Sequence, residues 1–187
     1  MNKVIETIMN RRSVRHYDSK PIPKEILHVI INAGNDAPSG MNMQNWRFVV
    51  AQDEAFKNKL LSLAIPRYKK WMEKASQEFN DIRKEIEAAT NDPIYYNAPV
   101  IIFIIGSGVT SDFDTPLVCQ NMMLAARSFD IGSCWVYFGQ LPLDDAEVRE
   151  ELELKEDEKV YGPILLGYPK GDFPQSPKKK EPKIKWI

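Results

Sequence analysis

Arg11, Arg12, Ser13 and Arg15 put three guanidiniums and a hydroxyl within five residues, a combination suited to holding a phosphate. Arginine presents a rigid, permanently charged fork that matches phosphate oxygens in pairs, and serine adds a donor that rotates to fit. Cations are also favoured at a helix C-terminus, where they meet unpaired carbonyls and the negative end of the dipole. Since this stretch follows a short amphipathic segment, the residues alone leave both readings open.

A second stretch narrows the choice. Pro38-Ser39-Gly40-Met41-Asn42-Met43-Gln44-Asn45-Trp46 follows the arginine segment, and the two together resemble the FMN-dependent nitroreductase family. That family pairs an Arg-x-Ser-x-Arg/Lys segment with a later Pro-Ser-x-x-Asn-x-Gln-x-Trp loop. Gly132-Ser133-Cys134-Trp135, Gly167-Tyr168-Pro169 and a Lys/Pro-rich tail carry the resemblance along nearly the whole chain, with a gap at about residues 65–97. Gly40 stands where a second Ser is common and Asn45 where Pro is common. Neither change removes a charge, but both bear on the shape of the loop.

The resemblance implies an α+β fold with a central mixed β-sheet flanked by helices, and a C-terminal arm exchanged in a homodimer with two FMN sites at the interface. It places Arg11 and Ser13, with Arg12 beside them, on the flavin phosphate or ribityl chain. Arg15 would reach the pyrimidine edge of the ring, where a cation stabilises the charge that reduction puts on N1. Pro38, Ser39, Gly40 and Asn42 would contact the flavin from the opposite subunit, with Gln44 supporting the loop. Cys134, Trp135 and Val136 would line the ring, and Lys179 and Lys180, or Lys178 in an adjacent register, would add a second phosphate contact. Gly139 lies later than the glycine usual in this motif, so the donor to flavin N5 is left unassigned.

The implied activity is NAD(P)H-dependent reduction of nitroaromatic, quinone or related acceptors by ping-pong hydride transfer through flavin N5, with no catalytic side chain of the protein's own. Two rivals stand beside it. One is a specialised branch of the same fold, such as a reductive dehalogenase or an enzyme consuming reduced flavin, with Tyr68, Lys69 and Lys70 as candidate substrate contacts. The other is a non-catalytic FMN-binding or storage protein.

Composition sets wider bounds. A chain of 187 residues with 43% hydrophobic content suits a single domain, here residues 1–187. A net charge of −1 gives no global field for nucleic acid or an anionic membrane, so anion recognition must come from a local cluster. Cys119 and Cys134 form no CxxC pair and read as buried free thiols in a reducing compartment. With no signal-peptide core or membrane-length apolar run, the expected location is the cytoplasm. There is no GxGxxG fingerprint, Walker loop, triad or metal cluster in the sequence. His16 and His28 read as structural or exposed, and Asp112 and Asp114 as turn and cap residues.

The elements that must position these residues follow from periodicity and punctuation. Val4, Ile5, Ile8 and Met9 share one face of a helix over residues 2–10, and Ile26, Leu27, Ile30 and Ile31 mark a second over 24–33, stopped by Gly34 or Asn35. Residues 46–51 are strand-like, and Asp53 caps a helix carrying Phe56, Leu60, Leu61 and Ala64. Residues 66–91 scatter Trp71, Phe79, Ile82 and Ile86 through charge, which reads as one or two exposed helices. The resemblance implies that the 66–97 segment is the variable part near the site.

Val100–Ile105 suits a strand buried on both faces. Thr115-Pro116 then reads as a helix start, with the helix running to about Phe129. Ser133–Phe138 is a further strand, residues 143–153 an acidic helix, and 159–167 a last strand in which Pro163 signals an edge or an irregularity. From Pro169 to Ile187 an extended arm ends in Ile184-Lys185-Trp186-Ile187, suited to adding a strand to another subunit.

Overall fold

The computed structural model describes residues 2–88 and 90–187, with the side chains of Ile82, Glu85 and Ala88 outside that description. Ile82, expected among the apolar residues of the polar stretch, therefore goes without a structural account.

Four strands form one sheet in the order β1-β2-β4-β3, with β1 at Trp46–Ala51, β2 at Val100–Ser107, β3 at Gly132–Trp135 and β4 at Glu158–Gly167. All three strand pairings are antiparallel. The parallel component of the expected mixed sheet is confined to an isolated bridge between Ser13 and Ser133.

Strand β2 shows why the sheet is covered on both sides. Its alternate residues Ile101, Phe103 and Ile105 enter one core with Leu60, Ala64, Tyr68, Tyr95 and Leu165. Val100, Ile102 and Ile104 enter the other with Leu27, Ile30, Val118, Met122 and Ile164. Successive strand side chains point to opposite faces, so an unbroken apolar run buries both.

The second core is roofed by α2 (Lys24–Asn35) and α5 (Ser111–Ser128). Of the two expected stop residues, Asn35 is the last residue of α2 and Gly34 is not the stop. Gly34 lies buried inside the helix, where an added Cβ would meet Met122 Cγ at 2.5 Å, so its missing side chain lets the two helices approach closely.

Helix α5 begins earlier than Thr115-Pro116 suggests. Thr110 accepts from the N–H groups of Phe113 and Asp114 at 2.9 Å each, and Ser111 Oγ donates to the Gly108 carbonyl. Asp112 and Asp114 then sit in the first turn, where the dipole favours acids. Thr115 is fully buried inside the helix. Pro116 falls in the second turn, where burial of α5 outweighs its missing N–H.

The other face carries α3 (Glu54–Met72), capped by Asp53, and α4 (Gln77–Ala88). Pro66 lies within α3 rather than at its end, because Leu60, Ala64 and Tyr68 pack along one buried stripe through it. Residues beyond 66 are accordingly no free excursion. Trp71 and Phe79 stack edge-on, with centroids 5.1 Å apart, and Trp71 also meets Phe138 at 4.9 Å.

Strand β3 ends at Trp135, short of the expected Phe138, and a single 3-10 turn follows at Tyr137–Gln140. Pro163 is interior to the sheet and not at an edge; it marks an irregularity, since Gly162 and Pro163 together lie opposite Phe103 where the β2–β4 register shifts. The acidic helix contracts to α6, Ala146–Glu151, and α1 spans Lys3–Asn10 with Asn2 Oδ1 accepting from Ile5 N.

One ion pair clamps the sheet from the side. Arg47 on β1 donates to both carboxylate oxygens of Glu158 on β4, at 2.8 and 2.7 Å, and to the Leu152 and Glu153 carbonyls. The Arg47 bond holds the Glu158 carboxyl down to about 2, from an ordinary 4.5. A depressed carboxyl stabilises the fold above its unfolded value and loses that contribution as the pH falls from 4.5 toward 2. Glu158→Gln is therefore expected to lower stability by about 1–3 kcal/mol at neutral pH, with Arg47's partial exposure trimming the effect. Urea unfolding at neutral and acidic pH would show it as a difference from wild type that closes on acidification; a constant difference would contradict it.

Candidate functional site

Residues 11–17 leave α1 and run along the open side of β3. Val14 N donates to Ser133 O at 3.0 Å, Asp18 N to Tyr168 O at 2.8 Å, and Lys170 N to His16 O at 2.9 Å. Tyr17 Oη adds a bond to the Val14 carbonyl at 2.7 Å. Extended backbone alternates its side chains, so Val14 turns into the core while Ser13 and Arg15 project the other way. Gly132 makes this possible, because an added Cβ would lie 2.7–2.9 Å from three carbon atoms of Val14.

The guanidiniums reach this place without carboxylate partners. Arg11, Arg12 and Arg15 take part in no ion pair among the described residues. Arg12 Nη1 bonds to the Arg11 carbonyl, while Arg12 Nε and Arg15 Nε are buried with no acceptor. Buried donors in folded proteins are almost always satisfied. These two orphaned donors, beside three unneutralised charges, fit a dianionic phosphate and a polar ring edge.

Cys134 sits against the same segment. Burial pushes its thiol up, and the charges of Arg15, Arg11 and Arg83, with a hydrogen bond from Ser13, oppose that shift. The neighbouring Tyr17 hydroxyl is likewise pushed well above its ordinary value, by burial first and Cys134 next. Both groups stay protonated at neutral pH. Cys134 and Val136 are buried and Trp135 is half exposed, with Val136 N donating to the Pro163 carbonyl at 3.0 Å. The structure thus brings Ser13, Arg15 and Cys134 together. Cys119, the second free thiol, lies apart in the α2–α5 core.

The other predicted residues lie elsewhere in the single chain. Gly40–Asn42 forms one 3-10 turn, with left-handed backbone at Met41, Asn42 and Gln44. Gln44 N donates to Ser39 Oγ at 3.1 Å and Gln44 Nε2 to the Asn42 carbonyl at 3.2 Å. Gly40 N donates to both oxygens of the Asp114 carboxylate at 3.2 Å, which pins the loop to the start of α5. Pro38, Met41, Asn42, Met43 and Gln44 remain exposed. Lys178, Lys179 and Lys180 are exposed on an extended tail, and His16 and His28 are exposed as well. No hydrogen bond or ion pair among the described residues joins this loop or these lysines to the arginine segment.

Sequence reasoning missed Tyr96, which stands beside Arg15, and Arg83, which stands behind Tyr96. The Arg15 guanidinium lies over the Tyr96 ring at 5.8 Å, and Tyr96 Oη accepts from Arg83 Nη1 at 3.0 Å. Tyr96 and Asn97 both have left-handed backbone, fixed by Asp92, whose carboxylate accepts from the N–H groups of Ile94, Tyr95 and Asn97. The Asn91-Asp92-Pro93 turn was the available signal.

The nitroreductase family model matches residues 8–168. The chain belongs to this family. A crystal structure of a nitroreductase with bound FMN from Bacteroides fragilis is 34% identical, covers 100% of both chains and superposes with a TM-score of 0.79. An NADPH-flavin oxidoreductase from Vibrio harveyi is 31% identical over 90% of this chain and 67% of its own length. An iodotyrosine deiodinase from Thermotoga neapolitana is 24% identical over 95% of both chains. As a nitroreductase-family chain it has the expected α+β architecture, with the arginine segment and the Gly132–Trp135 strand in contact. Among the described residues no helix is long and apolar enough to cross a membrane.

Proposed function

We propose that this chain is an FMN-dependent NAD(P)H oxidoreductase that works as a homodimer and reduces quinone, nitroaromatic or related acceptors. The observation that carries the reading is the pair of acceptor-free guanidine N–H groups, Arg12 Nε and Arg15 Nε, in a cluster of three arginines without carboxylates. FMN, when bound, supplies hydride transfer between nicotinamide and acceptor.

The protein's own part is positioning and charge. Arg11 and Arg12 would neutralise the phosphate, Ser13 would add a hydroxyl donor to it, and Arg15 would face the ring's pyrimidine edge. Cys134, Trp135 and Val136 form an apolar wall. The second wall comes from a partner subunit, through Pro38, Ser39, Gly40 and Asn42, with Lys179 and Lys180 of the tail adding to the phosphate site. Supporting this, the apolar face of α1 (Val4, Ile5, Ile8, Met9) and the tail's Ile184, Trp186 and Ile187 are all exposed in the single chain. Surfaces of this kind mark an interface.

The likeness to an iodotyrosine deiodinase keeps the dehalogenase branch as a second reading. Tyr68 drops out as a substrate contact for it, because its buried hydroxyl is committed to Arg83 and Glu87. Lys69 and Lys70 remain exposed.

The visible spectrum of the purified protein, followed by anaerobic titration with NADH and with NADPH, tests the proposal. Yellow protein bleached by either nucleotide and recoloured by a quinone is the expected result. Flavin that binds and never bleaches would move a storage role ahead, and failure of added FMN to bind would overturn the assignment of the arginine cluster.

A further inference from the structure

Arg83 is 6% exposed, on a helix whose sequence is predominantly polar. Its guanidinium donates to three neutral oxygens: Tyr68 Oη at 2.9 Å, Tyr96 Oη at 3.0 Å and the Pro93 carbonyl at 2.5 Å. It also lies 5.1 Å from the Tyr68 ring centroid and 5.4 Å from that of Phe138. The nearest acid in this network, Glu87, accepts from the Tyr68 hydroxyl and is thus one group removed. Burying a guanidinium among neutral partners is unfavourable unless its hydrogen bonds are satisfied, and an apolar side chain of similar length would fill the space without that penalty. The position therefore retains a charge that packing alone does not require.

The charge lies near the arginine segment. Tyr96 sits between the two guanidiniums, with its hydroxyl held by Arg83 and its ring facing Arg15 at 5.8 Å. We propose that Arg83 is a positioning residue of the FMN site: it fixes Tyr96 against Arg15 and supplies, beside the partly exposed Arg15, a buried positive charge that favours reduced flavin. Burial by itself would make the guanidinium easier to deprotonate, but its bonds to Tyr68 and Tyr96 more than reverse this, so the charge is permanent. Its field extends to Cys134, on the strand that would line the ring. The same network ties α3 and α4 to the cofactor, since Tyr68 belongs to α3 and Arg83 to α4.

This inference rests on FMN binding at the Arg11–Arg15 site, and its test keeps the two apart. Wild type, Arg83→Met, Arg83→Lys and Tyr96→Phe would be reconstituted with FMN, and FMN affinity measured in the oxidised and reduced states together with the midpoint potential. Arg83→Met removes the charge and keeps an apolar side chain against Tyr68 and Phe138. It is expected to lose about threefold to tenfold of the preference for reduced flavin, and tenfold corresponds to about 30 mV in a two-electron couple. Arg83→Lys keeps the charge and should stay within about twofold of wild type in that preference.

Tyr96→Phe leaves the charge and the ring but removes the bond that fixes them. It should weaken FMN binding about threefold in both states with little change in potential, and it carries the test should Arg83→Met not fold. A potential unmoved in Arg83→Met, equal shifts in the Met and Lys variants, or unchanged affinity in Tyr96→Phe would overturn the proposal while leaving FMN binding intact. A wild-type protein that binds no FMN would remove both together.

Discussion

Arg15→Ala is expected to weaken FMN binding by about tenfold to a hundredfold, from the loss of charge-assisted hydrogen bonds each contributing about 1.5–3 kcal/mol. The midpoint potential of the bound flavin should fall at the same time, because a positive charge at the pyrimidine edge, where the proposal puts Arg15, would favour the reduced form. Stability of the FMN-free protein should change by less than about 0.5 kcal/mol, since Arg15 is partly exposed and its Nε has no hydrogen-bond partner among the described residues. That separation makes the result diagnostic. Fluorescence titration with FMN, potentiometry of the complex and denaturant unfolding of the free protein give the three readouts. Unchanged affinity and potential would mean that Arg15 does not face the ring.

Arg15 stood out in the sequence as part of a local cluster, and its expected place at the ring edge came from the family resemblance. Three arginines and a serine within five residues mark a candidate anion site that the second motif then favoured, and an unbroken apolar run was enough to place β2 between two cores. Arg83 was illegible for the opposite reason. On a polar helix an arginine reads as solvated, and its burial depends on Tyr68 and Tyr96, 15 and 13 residues away, folding over it. Thr115-Pro116 misled in the same way: it is a local signal for a helix start, and packing of the whole helix prevailed. Asp114 was read as a turn or cap residue on its own helix. Its bonds to Gly40 span 74 positions and became visible only once α5 and the loop were side by side. Residues that act alone are readable from sequence, whereas residues that act by holding another need the fold.

Removing residues 182–187 is expected to weaken self-association by about a hundredfold or more. In the single chain Trp186 is 88% exposed and Ile184 63% exposed, on a tail with no strand of its own. If the arm docks on a second subunit, burying each of these large apolar side chains contributes about 1.5–3 kcal/mol, and losing two of them accounts for a factor of that size. The cut leaves Lys178, Lys179 and Lys180 in place, so any loss of FMN affinity would come through the dimer and not through the tail's charges. It should therefore depend on protein concentration: FMN binding falls when the truncated chain is dilute and recovers when it is concentrated, because in the proposed dimer the loop at Pro38–Asn42 would supply the second wall of the site. Sedimentation equilibrium and FMN titration over the same concentration range measure both quantities. Truncated protein that associates and binds FMN like the full chain would show that the apolar end of the arm has no partner surface, and would leave α1's exposed face as the remaining candidate for the interface.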